Sequence, residues 1–318
     1  MDDDQPAPPG GDFTGPDPIL GSLGAGWQAP GPFAATGRGP RLLSGGGRRA
    51  SVISTASTLV VLGALAAVFL LAPGSAQVRH TFFNPHDMWQ SFIGNPRKGY
   101  YSVGEAIWLN IRMFLAAEVL ILVFALVIAL IRQSASPVLF PLRVLGVIYV
   151  DFFRGVPLLL VIYAVGFGLP ALRLPFASYQ SDAVYGVVAL VLSYSAYVSE
   201  VYRAGLNSVQ QSQVAAARSL GLSQLTALRH VILPQAVRNI VPPLLNDFIS
   251  LQKDTALVGV LGAIEANEAA QIYASTVFNF SSFTVAAILF LILTIPLARF
   301  TDRLIARDRR RRLAGVAP

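Results

Sequence analysis

The sequence predicts an all-α integral membrane protein of about six transmembrane helices, and three observations predict it. Apolar and aromatic residues make up 54% of the chain and charged residues only 13%, against roughly 25% charged in an ordinary soluble domain; mean hydropathy is +0.57. The apolar residues gather into runs of about 20, long enough as helices to cross a hydrocarbon core of about 30 Å. The basic residues, which leave a net charge of +7, collect on alternate segments between those runs, as they do on the inner side of a membrane.

The elements follow in order. Residues 1–50 are rich in Gly, Pro, Asp and Ala and lack apolar periodicity, so no buried surface would offset the entropy lost on ordering them. A disordered cytoplasmic tail is expected. Val52 to Ala72 is apolar and uncharged and forms the first span. Gly74, Ser75 and Ala76 have the small-residue spacing of a signal-peptidase site, but about fifty residues precede the apolar run, far more than the short charged start of a signal peptide. An uncleaved helix is expected, followed by a polar extracytoplasmic loop, and together these make an added segment over 51–104. Further spans are expected at about 107–131, 144–168, 183–203, 240–262 and 283–301, before a basic cytoplasmic tail over 306–318.

The charges set an orientation. With the N-terminal tail inside, the inner segments hold Arg38 to Arg49, then Arg132, Arg143 and Arg154, then Arg203, Arg218, Arg229 and Arg238, and finally the cluster from Arg299 to Arg312. The outer segments hold Arg79, Arg97, Lys98 and Arg173. Both termini are therefore expected in the cytoplasm of a multi-pass cell-membrane protein, with the basic ends against anionic lipid.

Several function classes are excluded or weakened. The chain has no cysteine, which removes disulfides, thiol nucleophiles and cysteine metal sites. His80, His86 and His230 are scattered and none lies in an expected span, which argues against a zinc site or a membrane-bound enzyme. No G-x-x-x-x-G-K-[ST] loop is present, so no nucleotide phosphate is cradled here.

The stretch VAAARSLGLSQLTALRHVILPQAVR, residues 214–238, reads as helix, turn, helix. A DNA-reading version needs a third helix and a soluble core, and expected spans bracket this one on both sides, so no nucleic acid partner is expected. Ala215, Ala216 and Ala217 keep the first helix thin, Gly221 suits a left-handed turn at its end, and Ser223 can cap the second helix, which Pro234 is expected to end. The result is a rigid exposed corner whose motion would pass into the spans beside it.

These residues carry a resemblance. Ala215-Ala216-Ala217, Gly221 and Ile232-Leu233-Pro234 resemble the cytoplasmic EAA loop of permease subunits of bacterial ABC importers. DFFRGVPLLL at 151–160, YVSEVYRAGLNSV at 197–209, the segment 233–262 and AAQIYASTVF at 269–278 narrow it to the permeases for polar amino acids, the histidine, glutamine, glutamate, arginine and opine group. The resemblance covers about 105–305. It implies an ABC importer type I transmembrane domain there, five family helices plus the extra N-terminal one, with a coupling loop at 212–238. It also implies a permease subunit that is not itself an enzyme and that moves polar or charged L-amino acids into the cell. Partners would be ATP-binding cassette ATPase subunits that use ATP and Mg, a second permease subunit, identical or homologous, an extracytoplasmic amino-acid-binding protein and membrane lipid; no cofactor would be bound by this chain. The family begins the motif with Glu where this chain has Ala215, so an ion pair from that position would be absent. The alternative is a secondary, ion-coupled amino acid transporter, which would commonly show inverted repeats; no second copy of the RAGLNSV or ILPQAV segments is found.

By the resemblance, Ala215, Ala216, Ala217, Arg218, Gly221, Leu233 and Pro234 contact the ATPase. Polar residues at membrane depth, which are costly in lipid and usually face a cavity, nominate the substrate pathway. Lys253 and Asp254 form either a mutual or intersubunit ion pair that fixes packing or a substrate contact, and Asn246 shares a face with Lys253 at i+7. Tyr194, Tyr197 and Glu200 recur at i, i+3 and i+6; Glu200 either holds a cationic group or pairs with Arg203. Glu118, alone among Phe114, Leu115, Val119 and Leu120, is expected to line the pathway and favour cationic substrates. Arg154, Gly155 and Pro157 either break and reorient the third span as structure or, as the resemblance implies, belong to the gate region.

Overall fold

The computed structural model describes residues 48–175, 178 and 180–314. Most of the expected disordered tail, residues 1–47, lies outside the described residues, as do residues 315–318 of the basic tail. The chain divides by packing into two units, residues 1–69 and 70–318. The described part of the first unit is most of α1 (Arg48–Leu71), whose segment 51–71 is apolar enough to cross a membrane and buries none of its side chains.

The second unit is helical throughout; among the described residues the only β pairing is an isolated bridge between Asn95 and Tyr100. The stretch expected to be a loop opens with two helices, α2 (Ser75–Phe82) and α3 (Pro85–Ile93). Asn84 starts α3: its Oδ1 accepts the His86 N–H at 3.0 Å, and Pro85 fills the first turn, where no N–H is needed. Five hydrogen bonds then seal this segment onto residues 279–284, two of them to the Thr81 carbonyl, from Phe280 N (2.9 Å) and Ser281 Oγ (3.4 Å). Asn84 N donates to Ser281 Oγ (3.0 Å), Asn279 Nδ2 to the His80 carbonyl (3.0 Å) and Thr284 Oγ1 to the Phe82 carbonyl (2.6 Å).

Next come α4 (Val103–Gln133), capped by Ser102 Oγ accepting the Glu105 N–H at 3.0 Å, then α5 (Phe140–Gly155) and α6 (Leu158–Ala171). α5 and α6 meet at 110°. The expected straight span 144–168 is thus a broken one, because Pro157 cannot donate to the preceding turn. α7 (Asp182–Asn207) leads into α8 (Gln211–Ser219), α9 (Gln224–Ala227) and a π turn (Leu228–Ile232), then α10 (Leu233–Asp254), a 3₁₀ stretch (Thr255–Leu261), α11 (Ala266–Val277) and α12 (Ser281–Ala314). α12 runs on without a break into the segment expected to be a tail.

Among the described residues four helices are long and apolar enough to span a membrane, 51–71, 103–133, 182–207 and 281–307, and the bent pair brings the number to five. The expected span 240–262 is the one that does not qualify. It lies on α10 and the 3₁₀ stretch and carries Asn246, Asp247, Lys253 and Asp254.

α4 packs on α7 through a buried cluster to which α4 contributes the small residues Ala117 and Ala125. Lipid tails are as apolar as leucine, so close backbone approach rather than hydrophobic burial favours such an interface. Met113, Phe114, Ile121, Leu190, Val198 and Leu251 complete this core, and Phe114 meets the half-buried Phe248 edge to face at 4.5 Å. A second cluster, including Val103, Ala266, Ala270 and Val285, joins α4, α11 and α12.

Candidate functional site

The break between α5 and α6 opens a polar cavity of about 450 Å³. Its walls are residues 154–158, Ser193, Tyr194 and Tyr197 of α7, and Asp247, Ser250 and Asp254 of α10. A second cavity of about 510 Å³ shares Arg154, Tyr197 and Asp247 with the first and extends past Glu200, Asn239 and Pro243 to Ser208, at the end of α7. The two adjoin, so the polar path reaches from mid-helix to the base of the α8–α9 loop.

The first cavity has charge of both signs. Tyr194 Oη donates to Asp254 Oδ2 at 2.6 Å. Tyr197 Oη donates to the Arg154 carbonyl at 3.2 Å, and the Arg154 guanidinium lies over the Tyr197 ring, 5.9 Å from its centroid. Asp247 Oδ2 is buried and has no hydrogen-bond partner among the described residues. A carboxylate oxygen held this way is costly unless a donor reaches it, and a cationic or N–H-bearing solute in the cavity would supply one.

The expected pathway residues are divided by this geometry. Tyr194, Tyr197 and Asp254 line the first cavity and Glu200 the second. Asn246 and Lys253 are exposed and line neither. The mutual pair of Lys253 with Asp254 is not formed, since the described ion pairs are Arg132–Glu200 and Arg203–Glu200. Neighbours on a helix point about 100° apart, so Asp254 turns inward to Tyr194 while Lys253 turns out. Glu200 is held by Arg203, at 2.6 Å one turn on, and by Arg132 from the end of α4, the second partner being one its own helix does not contain. Glu118 lines neither cavity and is half-buried on α4.

Asp247 and Ser250 belong to the site and were not among the expected residues. Their signal is in the sequence: Asp247, Ser250 and Asp254 fall at i, i+3 and i+7, one residue out of phase with the stripe of Asn246 and Lys253. A buried tie has no such local signal, because its members are far apart in the chain. Asn110 Nδ2 donates to Thr255 Oγ1 (3.1 Å) and Glu265 Oε2 (2.9 Å), and Asn110 Oδ1 accepts the Ala266 N–H (3.0 Å). Glu265 also caps α11, accepting the N–H groups of Asn267 (2.9 Å) and Glu268 (2.8 Å). Burial pushes its carboxyl up to about 7, against the opposing pull of these donors.

The loop joining α7 to α10 presents an exposed surface. Gly221 adopts φ +84°, the left-handed conformation a side chain resists, and Ser223 Oγ accepts the Thr226 N–H at 3.2 Å. Ala215, Ala216 and Arg218 are exposed, Ala217 is buried, and Leu220 and Leu225 are 83% and 73% exposed. Leu233 and Pro234 are exposed too, but Pro234 does not end the second helix. It sits in the first turn of α10, entered through the π turn, which takes up the proline ring without breaking the chain's course.

Comparison with known proteins places this geometry. Residues 134–311 match the family of binding-protein-dependent transport system inner membrane components. The chain is 37% identical over 192 residues to a probable amino-acid permease protein, YxeN, of Bacillus subtilis, covering 60% of this chain and 84% of the relative. It is 40% identical over 159 residues to a probable glutamine ABC transporter permease protein, GlnM, of the same organism, covering 50% and 72%. Among solved structures, an amino acid ABC transporter with histidines superposes with a TM-score of 0.59 at 30% identity, over 64% of this chain and 93% of that one. A polar cavity beside an exposed loop, on helices that match over most of their relatives' length, leads to one assignment: this chain belongs to the family of binding-protein-dependent transport system inner membrane components.

Proposed function

We propose that the chain is the permease subunit of an ATP-binding cassette importer that carries polar or charged L-amino acids into the cell. ATP is hydrolysed by separate ATPase subunits that grip the loop 212–238, through Ala215 to Arg218, Gly221, Leu233 and Pro234. A second permease subunit and an extracytoplasmic binding protein complete the complex. The loop lies in the cytoplasm with both termini, and residues 1–50, 51–104, 105–305 and 306–318 act as tail, added span with its outer segment, permease domain and basic tail.

The observation that carries this reading is the placement of the cavity. Its walls on α7 and α10 belong to the two helices that the exposed loop joins, so a push on the loop reaches the polar site directly. Within the site, Arg154 suits an α-carboxylate, while Asp247 and Asp254 suit an ammonium or guanidinium. Glu118, half-buried on α4, adds to the negative field and favours cationic substrates. Glu200, held by two arginines, orders the inner mouth. Asn246 and Lys253, facing outward, would meet the second permease subunit or lipid.

The test uses right-side-out vesicles from the native cell, with the binding protein retained. Uptake of radiolabelled L-arginine and L-glutamine should require internal ATP and persist when ion gradients are collapsed. Uptake that follows an ion gradient without ATP would replace this reading with an ion-coupled transporter.

A further inference from the structure

The junction between α7 and α10 at the base of the loop is built as a closed joint. Asn239 Nδ2 of α10 donates to Ser208 Oγ at 2.7 Å, and Ser208 Oγ in turn donates to the Gly205 carbonyl at 2.6 Å. Beside them Gly205 is buried, and a Cβ there would collide with Cγ1 and Cδ1 of Ile240. Val209, Ala236 and Ile240 form a separate small core here, with exposures of 8%, 0% and 7%. The joint lies directly between the exposed loop and the cavity walls, since α7 carries Tyr194 and Tyr197 and α10 carries Asp247 and Asp254.

We propose that Gly205, Ser208, Asn239 and Ile240 are positioning residues that lock α7 and α10 into one lever. Displacement of the loop then moves both cavity walls together against the α5–α6 break, rather than parting α7 from α10. The contact that yields is the one beside the break, where Tyr197 meets Arg154 through one hydrogen bond at 3.2 Å and a ring contact. Away from the break α5 and α6 stay packed on α7, through Tyr149 Oη donating to the Leu192 carbonyl at 2.5 Å and the buried cluster of Val161, Ile162, Tyr185 and Ala189. The α7–α10 contact is backbone-close and leaves no slack for sliding, because packed interfaces switch between discrete arrangements instead of deforming continuously. The proposal rests on the reading that an ATPase drives this loop.

Gly205→Ala wedges the joint, and the double variant Gly205→Ala with Ile240→Ala removes the two colliding carbons. In vesicles energised with ATP, the ratio of L-arginine taken up to ATP hydrolysed should fall at least fivefold in the single variant and return to within twofold of the original in the double variant. Asn239→Ala, which keeps the packing, should lower the ratio by a smaller factor. Uptake and hydrolysis falling in step, with the ratio unchanged, would mean the joint only holds the fold together and would overturn the proposal. The chain has no cysteine, so Ser208→Cys with Asn239→Cys gives one addressable pair in each copy. A short bis-thiosulfonate linker should bridge it to the same extent with and without Mg-ATP and vanadate. Bridging that is lost in one nucleotide state would show that α7 and α10 part during the cycle. The bridging yield needs no transport to be read, so it judges the lever even where ATP-dependent uptake itself is absent and the importer reading has failed.

Discussion

Asp247 offers the sharpest trial of the cavity. Its Oδ2 is buried without a partner among the described residues, so Asp247→Asn removes a charge without breaking a hydrogen bond that this oxygen makes to the protein. Asp254 differs, because its Oδ2 holds the Tyr194 hydroxyl at 2.6 Å. A hydrogen bond to a charged group contributes about 1.5–3 kcal/mol, and each 1.4 kcal/mol is a factor of about ten. If Asp247 receives the ammonium or guanidinium of the substrate, Asp247→Asn should raise KM for L-arginine uptake by about 10- to 100-fold. The assay is initial-rate uptake in vesicles over a range of L-arginine, with the amount of complex in the membrane measured by blotting. Yield should be unchanged, since no existing contact at Oδ2 is lost. A KM within twofold of the original at normal yield would remove Asp247 from the pathway and refute the reasoning from its unpaired oxygen.

Other outcomes follow from the same geometry. Glu118→Gln should depress uptake of L-arginine more than that of L-glutamine, because the residue acts on the cavity through charge; equal loss for both would leave it a packing residue. Glu200→Gln weakens the hold on Arg132, whose side chain is 11% exposed. Breaking a buried pair from one side costs about 3–5 kcal/mol, tempered here by the amide that remains, so the midpoint of thermal unfolding in detergent should fall by several degrees. Glu265 makes stability depend on pH. Its carboxyl sits at about 7 when folded against an ordinary 4.5, so between those values the folded chain binds the extra proton and stability falls as pH rises. At about 1.4 kcal/mol per pH unit the loss reaches roughly 3 kcal/mol by pH 8, and Glu265→Gln should flatten the profile over that window.

How much was legible can be seen at particular residues. The loop was readable because its signals are local: Gly221 for a left-handed turn, Ser223 for a cap, alanines for a thin helix. The proline break at residue 157 was readable for the same reason, though not its 110° angle. Pro234 is ambiguous because a proline stops a helix in one setting and starts one in another, and here it sits in the first turn of α10. The polar stripe on α10 was legible as a period of 3.6 but not as a phase. Asn246 with Lys253 and Asp247 with Asp254 fit that period equally well, and only the position of α7 selects the second pair.

The linear chain by itself determined the helical membrane class, the positions of most spans and the family, because composition, run length and motif order depend on nothing distant. Tertiary structure alone decided which carboxylates face the cavity, that Arg132 reaches Glu200, and that Asn110 joins Thr255 and Glu265 across about 150 residues. The physical reason is that burial and pairing energies depend on distances between helices, which no spacing along one helix encodes.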